Sequence, residues 1–368
     1  MPETHARRRA ALRSLLRERD LDAQLVVDLR NVRYLTGYTG SNAALLVHAQ
    51  DEPGDEARTV FCTDGRYLTQ SAQQVPDLER VLDRPCPPAL VERAAAGTAY
   101  RRTGYESHRV TVEDLDTLTD VAGDVELVRA PGLVERLRMI KDDAEIEALR
   151  MACAAADRAL ADLIEHGGLA AGRTEREVAR DLESRMLDHG AAGPSFESIV
   201  ATGANSAVPH HRPTDAVLHA GDLVKLDFGA LVDGYHSDMT RTFVLGRPAD
   251  WQRELYDLVA SAQAAGRAAL RVHAEVSGVD AAARDVVERA GRGEEFLHGL
   301  GHGVGLEIHE APALAKTGEG RLSAGMAVTV EPGVYLSGRG GVRIEDTLVV
   351  RDGDPELLTL TTKQLVVV

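Results

Sequence analysis

The sequence predicts a smaller α/β domain followed by a larger α+β domain. Three observations support this division. The length of 368 residues exceeds what one core usually fills, strand-like and helix-like segments alternate as far as Val128, and Pro131-Gly132 then breaks the chain. We place the smaller domain at residues 1–130 and the larger domain at residues 131–368.

The first domain begins with a predicted helix over residues 6–19, where arginine alternates with alanine and leucine at helical spacing. Short apolar runs at residues 25–28, 42–48 and 59–62 predict buried strands. Residues 52–55 predict a turn between the second and third of these strands. Such alternation of helices and strands is typical of an α/β domain.

The second domain begins with predicted helices. Asp142 or Asp143 can cap a long helix that runs to about Glu165, where Gly167-Gly168 ends it. Further helices are predicted at residues 174–189, 251–270 and 279–291. From residue 321 onward the chain is rich in strand-like alternation. Helices followed by strands within one half of the chain indicate an α+β fold.

Composition and charge restrict the classes of partner. The chain carries 58 acidic and 42 basic side chains, for a net charge of -16, which opposes binding to nucleic acid or to anionic membranes. The three cysteines fit neither a disulfide framework nor a metal-binding spacing. The N-terminal residues lack the apolar segment of a signal peptide. We therefore expect a cytoplasmic protein without nucleic-acid or membrane partners.

Two aspartates lie close together on a hairpin predicted over residues 222–244. Asp233-Gly234 is a strong signal for a two-residue turn. With that turn at the centre, Asp227 lies opposite Thr240, and Asp238 lies diagonally across on the same face. Two carboxylates this close repel each other unless a cation or a proton lies between them. Taken alone, however, the pair is better explained as a solvated strand face.

Three histidines occur among glycines in HGLGHGVGLEIHE, residues 298–310. Glycine allows the backbone to approach a ligand closely. The spacing is not that of a helical HExxH zinc site, and no strand precedes the glycines as a dinucleotide-binding motif requires. A single histidine is more often structural than functional, whereas this cluster of His298, His302 and His309 makes the two interpretations about equally strong.

Two glutamates interrupt strand-like apolar runs near the end of the chain. Glu331 lies in VTVEPGVYL and Glu345 lies in GVRIEDTLVV, where apolar residues are expected on strands. Arg343 alternates onto the same face as Glu345. A carboxylate among core residues costs several kcal/mol unless it is paired or binds a cation. The alternative of a surface ladder of arginine and glutamate does not explain the surrounding valines and isoleucines.

Together these stretches offer two aspartates, two glutamates and a histidine. Carboxylates with an imidazole form a ligand set suited to Mn²⁺, Co²⁺, Fe²⁺ or Zn²⁺ rather than to an all-thiolate zinc site. Two such ions at a separation of about 3.5–4 Å can share carboxylates and activate a water molecule.

These motifs resemble the creatinase/prolidase/aminopeptidase P family of "pita-bread" metallopeptidases, peptidase family M24B. NVRYLTGYTGSNAALLV (31–47) and DGRY (64–67) resemble its non-catalytic N-terminal domain. LDFGALVDGYHSDMTRTF, HGLGHGVGLEIHE, TVEPGVY and VRIED come in the order of its catalytic domain. The resemblance implies an antiparallel pita-bread sheet with helices outside, preceded by a smaller α/β creatinase-like domain.

The resemblance also implies a role for individual residues. Two divalent ions per subunit, Mn²⁺, Co²⁺ or Zn²⁺, are expected, with Asp227 and Glu345 shared between them. The complete set of implied metal ligands is Asp227, Asp238, His302, Glu331 and Glu345. The implied catalytic residues are His210 in SAVPHHRP, His309 and Glu331. The implied substrate-binding residues are His298 and Arg343, the latter as a support behind the ligands. Because the amide before proline has no N–H, a compact pocket for the proline ring is also expected, and Phe196 is the candidate for its wall.

The activity implied is metal-dependent hydrolysis of the Xaa-Pro bond in small proline-containing peptides, by a homodimer. The stretch HEAPAL lacks the arginine that some prolidases carry after the HE pair. This difference favours an aminopeptidase P, whereas the short chain favours a prolidase. The alternatives are a metal-free creatinase-type amidinohydrolase and a catalytically dead pita-bread binding module, both of which lack the complete ligand set.

Overall fold

The computed structural model describes residues 2–52 and 56–368, so most of the turn predicted at residues 52–55 lies outside the described residues. The chain forms two compact units, Met1–Arg138 and Met139–Val368. Within the part of the chain that the structure describes, no helix has the length and apolar character needed to cross a membrane.

The first unit is an α/β domain built on one six-stranded sheet. Its described helices are α1 Pro2–Glu18, α2 Leu29–Thr36, α3 Leu68–Gln74, α4 Cys86–Ala95, α5 Val112–Val121 and α6 Leu133–Arg138. Its described strands are β1 Ala23–Val26, β2 Ala43–His48, β3 Val60–Thr63, β4 Glu79–Leu82, β5 Arg102–Tyr105 and β6 Glu126–Arg129.

The strand order of this sheet is β4-β3-β2-β1-β5-β6. The pairs β1–β2 and β2–β3 are antiparallel. The pairs β3–β4, β1–β5 and β5–β6 are parallel. Leu25, Leu46 and Val60 of the sheet pack with Leu90 of α4 and Leu118 of α5 in one apolar cluster. The three strands predicted near the N-terminus correspond to β1, β2 and β3, and the predicted α/β class is confirmed.

The second unit contains four long helices and several small antiparallel sheets. Its described helices are α7 Asp143–Glu165, α8 Glu175–Asp188, α9 Asp250–Ala269 and α10 Val276–Arg289. Its first described strands are β7 Gly193–Pro194, β8 Ile199–Thr202, β9 Leu223–Phe228, β10 Ala230–Val232, β11 Tyr235–His236 and β12 Met239–Val244. The later strands are β13 Gly301–Gly303, β14 Glu310–Leu314, β15 Ala327–Val330, β16 Gly333–Leu336, β17 Gly340–Arg343, β18 Asp346–Val349 and β19 Glu356–Leu357.

The start of α7 agrees with the prediction. The Asp142 carboxylate accepts a hydrogen bond from the backbone N–H of Glu145 at 3.0 Å, and the Glu145 carboxylate accepts from the N–H of Asp142 at 3.0 Å. Such a cap contributes about 1 kcal/mol to helix stability. After the helix, Gly167 adopts a φ of +65°, a left-handed conformation that glycine tolerates without strain.

Each pair of helices in this unit covers one side of the strands. Helices α7 and α8 form an apolar cluster with β8, β9 and β12, to which Val224 and Leu226 contribute. Helices α9 and α10 form a second cluster with β15 and β18, to which Val328 and Val330 contribute. All pairings between the described strands of this unit are antiparallel, and the predicted sheet with outer helices is confirmed.

The prediction that Glu331 and Glu345 lie within strands is wrong. Strand β15 ends before Glu331 because the next residue is Pro332, which has no backbone N–H to donate to a ladder. Glu345 lies between β17, which pairs with β16, and β18, which pairs with β15. The chain changes partner strands at Glu345. Neither glutamate therefore belongs to a strand, and the alternation of side chains along a strand does not set the direction of either carboxylate.

Candidate metal centre

Five acidic and imidazole side chains converge on one cavity of about 220 Å³ in the second unit. They come from β9, from the residue before β12, from β13 and from the ends of β15 and β17. All five residues of the implied ligand set line this cavity: Asp227, Asp238, His302, Glu331 and Glu345. Folding thus brings together residues that are more than one hundred positions apart in the chain.

The hairpin that carries the two aspartates has the predicted register. Asp227 of β9 pairs with Thr240 of β12. The turn residues Asp233 and Gly234 have φ values of +46° and +72°, and a type I′ turn requires φ above zero at both central residues. Because this turn fixes the register, Asp227 and Asp238 face the same cavity.

His302 lies between two of the carboxylates. Its Nε2 atom is 3.5 Å from Asp238 Oδ2 and 3.4 Å from Glu331 Oε1. Its Nδ1 atom lies 3.0 Å from the Gly303 carbonyl oxygen, so Nδ1–H donates there and the lone pair of Nε2 faces the carboxylates. Burial lowers the pKa of His302 to about 4, which keeps the ring neutral, as a metal ligand must be.

Burial raises the pKa of the carboxyl groups at this site. It raises the pKa of Glu331 to about 8. The pKa values of Asp238 and Glu345 are raised well above the ordinary range, by burial first and then by neighbouring carboxylates. A divalent cation offsets both causes, because it pairs with the charged form of each carboxylate.

Two buried carboxylate oxygens, Asp227 Oδ1 and Glu345 Oε1, have no hydrogen-bond partner among the described residues. The other oxygen of each group is occupied, since Arg343 Nη2 donates to Asp227 Oδ2 and Thr240 Oγ1 donates to Glu345 Oε2 at 2.7 Å. A buried carboxylate oxygen without a partner is costly. One ligand atom each of Asp238, His302 and Glu345 lies within 4.8 Å of the others, so the residues present fit a divalent metal.

Arg343 and His298 lie behind the cavity rather than among the described residues that line it, and for Arg343 this position agrees with a support behind the ligands. Arg343 is buried, and its guanidinium donates to Thr240 Oγ1 at 3.0 Å and to the Tyr335 hydroxyl at 2.8 Å. His298 Nε2 lies 2.8 Å from the same hydroxyl. Neither is among the described residues that line the cavity. Hydrogen bonds to Tyr335, which sequence spacing does not reveal, place both side chains there.

The two neighbouring histidines point in different directions. His210 lines the cavity, whereas His211 Nε2 lies 2.7 Å from the carboxylate of Glu175, the first residue of α8. The chain just before His210 is held by Lys225, whose Nζ donates to the Val208 carbonyl at 2.6 Å. Lys225 shares the face of Asp227 on β9, and sequence reasoning assigned it no role.

The remaining wall of the cavity combines a second histidine with apolar side chains. His309 lies beside His302, with 4.4 Å between the ring centroids and 71° between the ring planes. Phe196 lines the cavity, together with Ile199 and Ile308. Sequence reasoning missed both isoleucines, because an isoleucine in a strand or beside a histidine has an ordinary packing explanation. The only available signal was that Ile308 directly precedes His309.

The fold and this site define a two-domain metallohydrolase, and comparison with known proteins gives the family. Residues 147–352 match the model of metallopeptidase family M24, and residues 8–140 match the creatinase/prolidase N-terminal domain. The chain belongs to metallopeptidase family M24, and the family resemblance inferred from the motifs is confirmed.

Several relatives are similar over most of the chain. An uncharacterized peptidase of Bacillus subtilis, YqhT, is 37% identical over 356 residues, which cover 97% of this chain and 98% of that protein. A solved structure, the Xaa-Pro dipeptidase from Bacillus anthracis, is 36% identical with a TM-score of 0.92 and covers 99% of this chain and 100% of its own. The X-Pro aminopeptidase from Thermotoga maritima is 31% identical with a TM-score of 0.86, covering 96% of this chain and 98% of its own.

Proposed function

We propose that this protein is a dinuclear metallopeptidase that hydrolyses the peptide bond between an N-terminal residue and a following proline. The observation that carries the proposal is the pair of buried oxygens, Asp227 Oδ1 and Glu345 Oε1, that lack a partner among the described residues of the cavity. The Xaa-Pro dipeptidase and X-Pro aminopeptidase to which the chain is similar support the substrate class.

We assign the two ions to the five converging side chains. Asp227, Asp238, His302, Glu331 and Glu345 would hold these ions, because all five line one cavity. When bound, the ions polarise the scissile carbonyl and lower the pKa of the attacking water. The mixture of carboxylates and one imidazole suits Mn²⁺, Co²⁺ or Zn²⁺.

The side chains around the ligands orient the substrate and move protons. Glu331 accepts the proton that the attacking water loses and passes it to the proline nitrogen as the C–N bond breaks, so that proline leaves as an amine. His309 and His210 donate hydrogen bonds to the carbonyl oxygen as negative charge develops on it. The proline ring packs against the apolar wall that contains Phe196 and Ile308.

His309→Ala is expected to lower kcat by about 10–100-fold with metal content retained, because a hydrogen-bond donor to the developing charge is lost while the ligands remain. Steady-state kinetics on an Xaa-Pro dipeptide and elemental analysis of the dialysed protein measure both quantities. His219→Ala changes an exposed histidine and serves as the control. Full activity of the His309 variant contradicts the assigned role.

The substrate class is tested by two peptides of equal length, Ala-Pro and Ala-Ala. We expect the Mn²⁺- or Co²⁺-loaded protein to hydrolyse Ala-Pro faster, because an apolar wall accepts the proline ring and recognition does not need an amide N–H at the scissile bond. Initial rates at equal concentration measure the preference. Equal rates, or faster hydrolysis of Ala-Ala, contradict the proposal.

The prolidase and aminopeptidase P alternatives differ in the length of peptide that each accepts beyond the proline. A prolidase prefers an Xaa-Pro dipeptide, whereas an aminopeptidase P prefers an Xaa-Pro-Xaa tripeptide. The ratio of kcat/KM for these two substrates decides between them.

The metal-free amidinohydrolase and the inactive binding module are not favoured, because all five implied ligands line one cavity. If the metal-free protein gains no peptidase activity on addition of Mn²⁺ or Co²⁺, these two alternatives are favoured instead. The homodimer and the cytoplasmic location stay predictions from the sequence, and sedimentation velocity measures the first of them.

A further inference from the structure

The segment between β13 and β14, residues 304–309, carries two side chains of the cavity wall, Ile308 and His309. We call this segment the His309 loop. Val304 and Leu306 are buried and anchor its first half, whereas Ile308 is half-buried and His309 is exposed, so hydrogen bonds from outside the loop help to position its second half. The backbone N–H of His236 donates to the Gly305 carbonyl at 2.9 Å and provides one such bond.

The carboxylate of Glu310, the residue after His309, points back into the loop. Its Oε1 accepts a hydrogen bond from the backbone N–H of Glu307 at 3.0 Å. A Cβ at Gly305 would lie 2.9 Å from both carboxylate oxygens of Glu310, so a larger residue there would displace the carboxylate from its present position. Glu310 therefore fixes the middle of the His309 loop from its C-terminal end.

The other oxygen of Glu310 is held by a lysine. Lys141 Nζ donates to Glu310 Oε2 at 2.9 Å, and the two side chains are only 1% and 6% exposed. The backbone of Lys141 is itself fixed, because its N–H donates to the Gly325 carbonyl at 2.9 Å. The ammonium is thus a rigid point to which the carboxylate, and with it the loop, is attached.

We propose that Lys141 is a positioning residue that acts through Glu310 to hold His309 and Ile308 in place at the cavity. Lys141 is not among the described residues that line the cavity, so its effect on substrate is indirect. A buried ion pair is weak evidence for stability, since apolar replacements of both partners are often neutral or stabilising. Stability alone therefore does not explain the pair of Lys141 and Glu310, whereas a role in orienting a functional loop does.

Hydrogen–deuterium exchange tests the placement of the loop without substrate. The double variant Lys141→Met/Glu310→Met removes both charges and leaves neither buried without its partner. We expect faster exchange in peptides covering residues 303–310, with exchange in α9 and α10 and metal content unchanged. Lys316→Met breaks a lysine–glutamate pair at the surface, with Glu288 at 3.4 Å, and serves as the control. Unchanged exchange at residues 303–310 overturns the proposal.

The kinetic consequence rests on the proposed function and is read from His309→Ala in two backgrounds. The double variant itself is expected to lose about tenfold in kcat/KM, because misplacement of a catalytic group is costly. His309→Ala should then cost little more in the double variant, although it costs about 10–100-fold in the parent protein. Equal losses in both backgrounds overturn the proposal, because the imidazole is then in place without Lys141.

If the double variant does not fold, the single variant Glu310→Gln provides a second test of the proposal. An amide offers one oxygen where the carboxylate offers two, so the bond to Lys141 or the bond to the Glu307 N–H is lost. Wild-type exchange at residues 303–310 together with full activity in this variant overturns the proposal. If the parent protein cleaves no Xaa-Pro peptide, the proposed function fails, whereas the exchange result still decides the role of Lys141.

Discussion

Glu345→Gln is expected to abolish stoichiometric metal binding and to lower peptidase turnover on the order of 10³-fold. The change keeps the shape of the side chain and the oxygen that accepts from Thr240 Oγ1, and it replaces Oε1, which has no partner among the described residues, with an amide. Removing one partner of a buried charge pair typically costs about 3–5 kcal/mol, which corresponds to a factor of this order. Calorimetric titration with Mn²⁺ and turnover of an Xaa-Pro peptide measure the two effects.

The matched control is Glu288→Gln, which makes the same change at an exposed position on α10. This variant should bind metal and turn over substrate as the parent does. A Glu345 variant that binds two ions with unchanged affinity would show that this carboxylate is not a ligand and would remove the main support for a dinuclear centre.

Glu331→Gln is expected to change stability in opposite directions without and with metal. In the metal-free protein burial raises the pKa of Glu331 to about 8, above its value in the unfolded chain. The stability that this carboxyl contributes is therefore fully present below about pH 4.5 and is lost as pH rises through about 8. Glutamine mimics the protonated form, so the metal-free variant should match the parent at pH 5 and exceed its stability by a few kcal/mol at pH 9.

The comparison of variant with parent is needed because other groups also titrate in this range. Burial raises the pKa of Glu106 in the first unit to about 7 and lowers the pKa of Lys225 to about 6. These two shifts change stability with pH in opposite directions. Taking the difference between parent and variant cancels both contributions and leaves that of Glu331.

Thermal unfolding of chelator-dialysed protein at pH 5 and pH 9, with and without Mn²⁺, measures the prediction. With metal bound, Glu331→Gln should lower the melting temperature at both values of pH, because a ligand is lost. A metal-free variant that is no more stable than the parent at pH 9 contradicts the electrostatic description of the site.

Parts of the fold were predictable from local sequence chemistry. The register of β9 and β12 was predictable, because Asp233-Gly234 favours a type I′ turn of two residues and this turn fixes which residues pair. The start of α7 was predictable from the capping residue Asp142. Strands β13 and β14 were not predictable, because GHG and EAPAL have little of the β-branched or aromatic character that marks strands.

Some residues of the candidate site could likewise be recognised from the sequence, and others could not. Glu331 and Glu345 were recognisable because each is a carboxylate within an apolar run, which demands a physical reason. Lys141 and Ile308 were not recognisable, because a lysine before a helix and an isoleucine beside a histidine need no special explanation. The position of His298 depends on its hydrogen bond to Tyr335, a contact between distant residues that only the fold creates.

The most direct measurement of the central claim is an anomalous difference map from crystals grown with saturating Mn²⁺ or Co²⁺. We predict two peaks in the cavity, about 3.5–4 Å apart, each in contact with oxygen or nitrogen atoms of the converging side chains. Those side chains are Asp227, Asp238, His302, Glu331 and Glu345. A map from such crystals that shows no peak among these five residues contradicts the dinuclear centre.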